Sequence, residues 1–205
     1  MDIEGFVLVG GKSSRFGRPK ALLKFDGVTL AEKAASTISA ALSPKQIYLA
    51  AANEEQFAGD EGLPKDLPVI FDRCKDRGAF GGLHAALKQA QSEWIFVLAC
   101  DYPFVSADLL KYLAGLIDGA FEAVVPVQPD GRVQPLCAFY RVEPCLKIVE
   151  KFLAANEKLP PLRAVFENVR TRFVGFDELK DLPGAENFFL NLNSPEDLNG
   201  LELRL

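Results

Sequence analysis

The chain has little of what metal and redox centres are built from. One histidine, His84, and four cysteines (Cys74, Cys100, Cys137 and Cys145) are spread over 205 residues, and no two cysteines form a C-x-x-C pair. That spacing argues against a zinc site, and free thiols in apolar runs suit a reducing, cytoplasmic compartment. No apolar run nears the ~20 residues of a spanning helix, and Met1-Asp2-Ile3-Glu4 lacks the basic region of a secretory signal. No membrane role is expected. Positive charge is in deficit: 23 Lys and Arg against 28 Asp and Glu leave a net charge of −5. A mildly acidic chain is a poor general partner for nucleic acid. What is present is core-forming material. Hydrophobic residues are 49% and charged residues 25% of the chain, which excludes a disordered class. The length suits one domain spanning 1–205 with a sizeable core.

Apolar runs alternate with helix-period segments. Strands are predicted at Gly5–Val9, Gln46–Ala51, Val69–Phe71, Trp94–Ala99 and Ala123–Val127. Val133–Tyr140 is expected as a hairpin partner after the Pro129-Asp130-Gly131 turn, and Arg170–Phe176 as another strand. Helices are predicted at Leu30–Leu42, Leu83–Gln91 (after Gly81-Gly82), Ser106–Ile117 with Ser106 as N-cap, Pro144–Ala154 and Leu162–Asn168. The end, Asn187–Leu201, is expected as strand, turn and helix. This alternation predicts an α/β fold, a parallel or mixed sheet covered by helices on both faces. In such folds ligands bind at the carboxyl ends of strands, near a reversal of strand order.

Candidate residues lie at those ends. Gly10-Gly11-Lys12-Ser13-Ser14-Arg15-Phe16-Gly17-Arg18-Pro19-Lys20 follows the first strand. From Gly10 to Lys24 the chain carries Lys12, Arg15, Arg18, Lys20 and Lys24 and no acid. Glycines let backbone N–H groups approach an anion, and the cations neutralise it, so the loop reads as a polyphosphate cradle rather than a solvated basic loop. It is not a Walker loop, because Phe6 stands at the required first glycine. Nor is it a dinucleotide fingerprint, because Lys12 takes the second glycine position. Asp101, in Cys100-Asp101-Tyr102-Pro103, ends the Trp94–Ala99 run and is placed to hold Mg²⁺ beside phosphate. Asp72 could receive a nucleoside, or pair with Arg73, Lys75 and Arg77. Asn53 is either a ligand or a turn residue. Gly81-Gly82 either faces a phosphate or permits close packing. His84 reads as structural. Asn191 and Asn193 flank Leu192 and are expected on one face of an extended segment.

These pieces together resemble the molybdenum cofactor guanylyltransferases, the MobA-type nucleotidyltransferases. The resemblance rests on Leu8-Val9-Gly10-Gly11-x-Ser13-x-Arg15-Phe16-Gly17 with Lys20, on Asp72, and on Gly81-Gly82-Leu83. It continues through Cys100-Asp101-Tyr102-Pro103, Pro135-Leu136-Cys137-Ala138-Phe139-Tyr140 and Asn191-Leu192-Asn193-Ser194-Pro195-Glu196-Asp197-Leu198. It implies a Rossmann-like three-layer α/β/α sandwich with a mostly parallel central sheet. It implies transfer of GMP from GTP to the terminal phosphate of molybdopterin, with Mg²⁺ and release of pyrophosphate. By positional match, Leu8, Val9, Gly10, Gly11, Lys20, Asn53, Asp72 and Asp101 would bind GTP. Asp101 would bind the metal, Asp101, Lys20 and Arg15 would serve catalysis, and Asn191 and Asn193 would face the pterin. Transient contact with cofactor-delivery proteins is also implied. The sequence departs from the family at Val9 (usually Ala), at Pro19 (often Asp) and at Phe80. Three rivals stay open: a relative using CTP or acting on a sugar phosphate, a nucleotide-binding module without turnover, and a structural scaffold. Gly11 is the family-level cue for guanine.

Overall fold

The computed structural model describes residues 2–10, 19–57, 63–74, 77–155 and 158–192. After β1 (Ile3–Leu8) come a small hairpin, β2 (Lys24–Phe25) and β3 (Val28–Thr29), then α1 (Leu30–Leu42), β4 (Ile47–Ala51), β5 (Val69–Phe71) and α2 (Ala79–Gln89). The chain continues through β6 (Trp94–Ala99), α3 (Ala107–Gly115), β7 (Ala123–Pro126), β8 (Cys137–Arg141), α4 (Val142–Ala155), β9 (Thr171–Val174) and α5 (Phe176–Leu179). Seven strands form one sheet in the order β5-β4-β1-β6-β8-β7-β9. β8 runs antiparallel to both its neighbours, and the other pairings are parallel. The mostly parallel α/β/α sandwich expected from the sequence is therefore present.

The strands read as unbroken apolar runs because both faces are covered. On β6, Phe96 and Leu98 join Val7, Leu30, Ile38, Leu109 and Leu113 on the side of α1 and α3. Ile95 and Val97 join Phe6, Leu8, Leu83, Leu87 and Val149 on the side of α2 and α4. A one-residue slip of β6 would exchange these two sets. Capping fixes the helix starts. Thr29 Oγ1 accepts from Glu32 N at 3.2 Å while Thr29 N donates to Glu32 Oε2 at 2.7 Å. Ser106 Oγ accepts from Leu109 N at 3.2 Å. These are the side chains that satisfy otherwise orphaned first-turn amides.

Differences from the sequence reading have local causes. The hairpin β2–β3 was not anticipated, although Asp26-Gly27 is a strong turn signal. Both residues take positive φ, 52° and 82°, which a twisted two-residue hairpin requires. α2 begins at Ala79, so Gly81-Gly82 lie inside its first turn rather than before it. β8 is shorter than the Val133–Tyr140 expectation. Val133 makes only an isolated bridge to Val127, and Pro135 has no N–H for a ladder. No strand forms at Asn187. A short 3₁₀ turn covers Ala185–Asn187, entered through Gly184 at φ 77°. The helix expected after Pro195 lies outside the described residues.

Candidate active site

The sheet order sets the site's place. From β1 the chain passes to β4 on one side, while β6 pairs on the other, so strand order reverses between β1 and β6. Gly10, Asn53, Asp72 and Asp101 follow the carboxyl ends of β1, β4, β5 and β6. The backbone draws these ends together: Val9 N and Gly10 N donate to Ala50 O at 2.9 and 3.2 Å, Asp72 N to Ala51 O at 2.9 Å, and Cys100 N to Leu8 O at 3.2 Å. Leu8 and Val9 are buried in this frame. At Gly10 a Cβ would stand 2.9 Å from Ala52 N, a clash with backbone that only glycine avoids.

Lys20 and Asp101 meet across the reversal point, Nζ to Oδ2 at 3.4 Å, each about one-fifth exposed (22% and 23%). Lys20 opens a 3₁₀ turn, Lys20–Leu22, anchored by buried Ala21 and Leu22. Asp101 follows β6 directly, and its carbonyl accepts from Leu192 N at 3.1 Å. A cation and a carboxylate thus share the crevice. Arg15, Gly11 and Asn193 lie outside the described residues.

Asp72 is half-buried, and its carboxyl is held above the ordinary carboxylate range chiefly by burial. The Cys74 N–H, donated to Oδ1 at 2.6 Å, and the nearby His84 act in the opposite direction. Gly81 packs directly on this carboxylate: a Cβ there would lie 1.8 Å from Asp72 Oδ2. Gly81 thus permits close packing, and it does so against a candidate site residue. His84 faces Cys74 Sγ through Nδ1 at 3.6 Å and Glu150 Oε1 through Nε2 at 3.7 Å, which ties α2 to α4 as a structural histidine would.

Asn53 Oδ1 accepts from Gln56 N at 2.9 Å, the turn role weighed above. Gln56 itself was missed. Its Nε2 donates to Val9 O and its Oε1 accepts from Ala52 N, both at 2.9 Å, joining the loops after β1 and β4. The Asn-x-x-Gln spacing is a capping-box signal that could have found it. Tyr102 and Gln134 were also passed over as individual residues. Tyr102 Oη donates to Gln134 Oε1 at 2.7 Å, and both are buried. Asn191 lies beside this pair, and its Oδ1 is buried without a partner among the described residues.

A mostly parallel sheet with a lysine–carboxylate pair at its reversal point, in a chain whose sequence is rich in glycine and cations between Gly10 and Lys24, fits a nucleotidyltransferase. The chain belongs to the MobA-like NTP transferase domain family, whose model matches residues 5–171. Over 201 residues it is 30% identical to the molybdenum cofactor guanylyltransferase of Desulfosudis oleivorans, covering 98% of this chain and 94% of the relative. Among solved structures it is similar to the molybdopterin-guanine dinucleotide biosynthesis protein A of Archaeoglobus fulgidus. That likeness has a TM-score of 0.77 and 26% identity, over 98% of this chain and 97% of the other. The fold alone is shared with 4-diphosphocytidyl-2C-methyl-D-erythritol synthase of Anaerococcus prevotii, at TM-score 0.69 and 16% identity, over 100% and 96% of the two chains. Among the described residues no helix is long and apolar enough to cross a membrane.

Proposed function

We propose that this nucleotidyltransferase moves GMP from GTP to the terminal phosphate of molybdopterin and releases pyrophosphate. The supporting observation is the Lys20–Asp101 pair at the β1/β6 reversal point, in a chain whose relatives carry that activity in their names. An oxygen of the acceptor phosphate forms a new bond to the α-phosphorus of GTP. The bond from that phosphorus to the bridging oxygen breaks, and its electron pair leaves with pyrophosphate. The nucleophile is already an anion, so no strong general base is needed, and catalysis is positioning plus charge neutralisation. Lys20, with Arg15 and the backbone N–H of Gly11, neutralises and orients the triphosphate, and Gly10, which has no Cβ, lets it approach closely. Leu8 and Val9 form the buried floor beneath it. Asp72 and Asn53, at the ends of β5 and β4, would serve the nucleoside, and Asn191 and Asn193 would serve the acceptor.

The residues fit Mg²⁺. No cluster of three or more His, Cys, Asp or Glu that could cage a metal occurs among the described residues. Magnesium asks for less: one or two carboxylates, phosphate oxygens and retained waters. Asp101 is a hard oxygen donor placed beside the phosphate-binding lysine and would hold it. When bound, the ion supplies neutralisation of the charge that builds on the phosphates. The test is pyrophosphate release from GTP, CTP or UTP with molybdopterin, with and without Mg²⁺. Release with GTP alone is expected. Preferential release with CTP would overturn the guanylyl reading, and undiminished turnover in chelator would overturn the magnesium assignment.

A further inference from the structure

Parallel strands exchange hydrogen bonds in a fixed pattern. A residue that donates to one position of its neighbour accepts from the residue two further on. β1 and β4 begin and end on this pattern, with Gly5 N on Gln46 O and Val9 N on Ala50 O, both at 2.9 Å. The next rung would run from Ala52 N to Val9 O. Among the described backbone bonds that rung is not made. The Gln56 side chain takes both groups instead, Oε1 accepting from Ala52 N and Nε2 donating to Val9 O, each at 2.9 Å. A carboxamide carries an acceptor and a donor side by side. It therefore replaces the rung, leaves neither backbone group unpaired, and spreads the strand ends by its own width.

The opening is local. β4 keeps its last rung toward β5, Asp72 N to Ala51 O at 2.9 Å, and β1 keeps one toward β6, Cys100 N to Leu8 O at 3.2 Å. Of these three seams only β1/β4 holds a side chain. It does so where Gly10 turns back over β4, its N–H on Ala50 O at 3.2 Å and a Cβ excluded by Ala52 N. Gln56 also holds the loop after β4, its N–H donating to Asn53 Oδ1 at 2.9 Å. That bond fixes the sense of the exposed Asn53 amide, oxygen toward Gln56 and Nδ2 hydrogens away from it. Gln56 is only half-buried, so water would satisfy Val9 O and Ala52 N in its absence. What the ordered glutamine adds is a fixed spacing.

We propose that Gln56 is a positioning residue for the nucleoside triphosphate. Its carboxamide wedges the carboxyl ends of β1 and β4 apart, and with its backbone N–H it sets the Gly10 turn and the Asn53 amide at the spacing that the nucleotide spans. The inference rests on the proposed substrate, GTP. Gln56 acts through Gly10 and Asn53 rather than on the reacting atoms.

The experiment compares wild type with Q56L, which keeps the bulk and loses both side-chain bonds, and Q56E, which keeps an acceptor for Ala52 N but sets a carboxylate oxygen against Val9 O. Amide hydrogen exchange reads Ala52 N, equilibrium titration reads the GTP Kd, and pyrophosphate release at saturating GTP reads the molybdopterin KM. Ala52 N is expected to exchange about tenfold faster in Q56L than in wild type. Both variants are expected to raise the GTP Kd about tenfold, the usual scale for one oriented hydrogen bond, and to leave the molybdopterin KM within twofold. Thermal melts should show Tm lower by no more than about 4 °C. A role in stability alone lowers Tm and leaves the GTP Kd of the folded protein unchanged, and that result in Q56L would overturn the inference. So would an unprotected Ala52 N in wild type, or equal losses toward GTP and molybdopterin. If wild type binds no GTP while Ala52 N loses protection only in the variants, it is the proposed function that fails.

Discussion

Lys20 and Asp101 stand 81 positions apart in the chain, yet their side chains meet at 3.4 Å over the crevice between β1 and β6. Both are partly exposed, and an ion pair of that kind is worth only ~0–1 kcal/mol. Stability therefore does not explain the pairing. Breaking it is expected to separate activity from folding. D101A should lower transfer by ~10²-fold or more, the scale of losing a charge-stabilising group at a reacting phosphate. The same substitution should shift the unfolding free energy by no more than about 1 kcal/mol. K20A should weaken GTP binding by about tenfold or more. Pyrophosphate release, GTP titration and urea denaturation check the three outcomes. Near-normal turnover in D101A would remove Asp101 from the mechanism.

Much of this arrangement is legible in the sequence. The limits of α1, β5 and β6 agree residue for residue with the periodicity and run-length reading, because each is bounded by unambiguous punctuation or by a complete apolar run. The carboxyl-end rule placed Gly10, Asn53, Asp72 and Asp101 in one region without any knowledge of distances. What stayed hidden depends on contacts between distant segments. Glu4 stands just before the expected Gly5–Val9 strand, and only the fold places it in β1 with its carboxylate against the Gln91 and Ser92 amides. Gln134 is an ordinary turn-flanking residue until β8 packs it under Tyr102. Gly81 was legible as a tight spot, but not as a tight spot against Asp72. Pairings of this kind belong to the tertiary structure and leave no local pattern.

Asp72 gives a pH prediction. Burial raises its carboxyl above the usual range, so the folded chain holds that proton more tightly than the unfolded chain. The associated stability is fully present below the unfolded value, near pH ~3.9, and is lost as pH rises through the folded value. At neutral pH the ionised group is a net burden. D72N is expected to raise Tm at pH 7, with the gain shrinking to nothing below about pH 4. GTP affinity should fall about tenfold in the same variant, a stability gain set against binding. Melts across pH 3–8 with parallel GTP titrations decide it, and a lower Tm at pH 7 would contradict the burial argument.

Glu4 makes the opposite case, a buried acid with a structural duty. One carboxylate oxygen accepts from Gln91 N at 2.6 Å and Ser92 N at 2.8 Å, closing the turn between α2 and β6. Hydrogen bonds to a charged group contribute ~1.5–3 kcal/mol each, and unsatisfied buried amides add to the loss. E4A should therefore cost on the order of 3 kcal/mol, or roughly 6–12 °C in Tm for a chain of this size. The acid lies in the sheet, away from the crevice residues, so the GTP Kd of the folded fraction should be unchanged. Calorimetry and GTP titration below the transition test both halves.

Gly81 and Gly82 are neighbours in the first turn of α2, and the structure asks different things of them. A Cβ at Gly81 would lie 1.8 Å from one carboxylate oxygen of Asp72 and 2.5 Å from the other, far inside any permitted contact. A Cβ at Gly82 would sit 3.4 Å from Leu8 side-chain carbons, an ordinary apolar contact. Helix propensity favours alanine over glycine by ~1 kcal/mol at both places. G82A should therefore be neutral to stabilising, with nucleotide affinity within twofold of wild type. G81A gains the same propensity but must push the Asp72 side chain out of its seat and away from the Cys74 N–H it accepts from. Its GTP Kd should rise about tenfold, as in D72N, and the pH-dependent part of its stability should flatten because Asp72 is no longer buried. A double variant, G81A with D72N, should bind GTP no more weakly than D72N alone, since both changes remove the same carboxylate contact. Additive losses in that double variant would show that Gly81 acts on the nucleotide by a route other than Asp72.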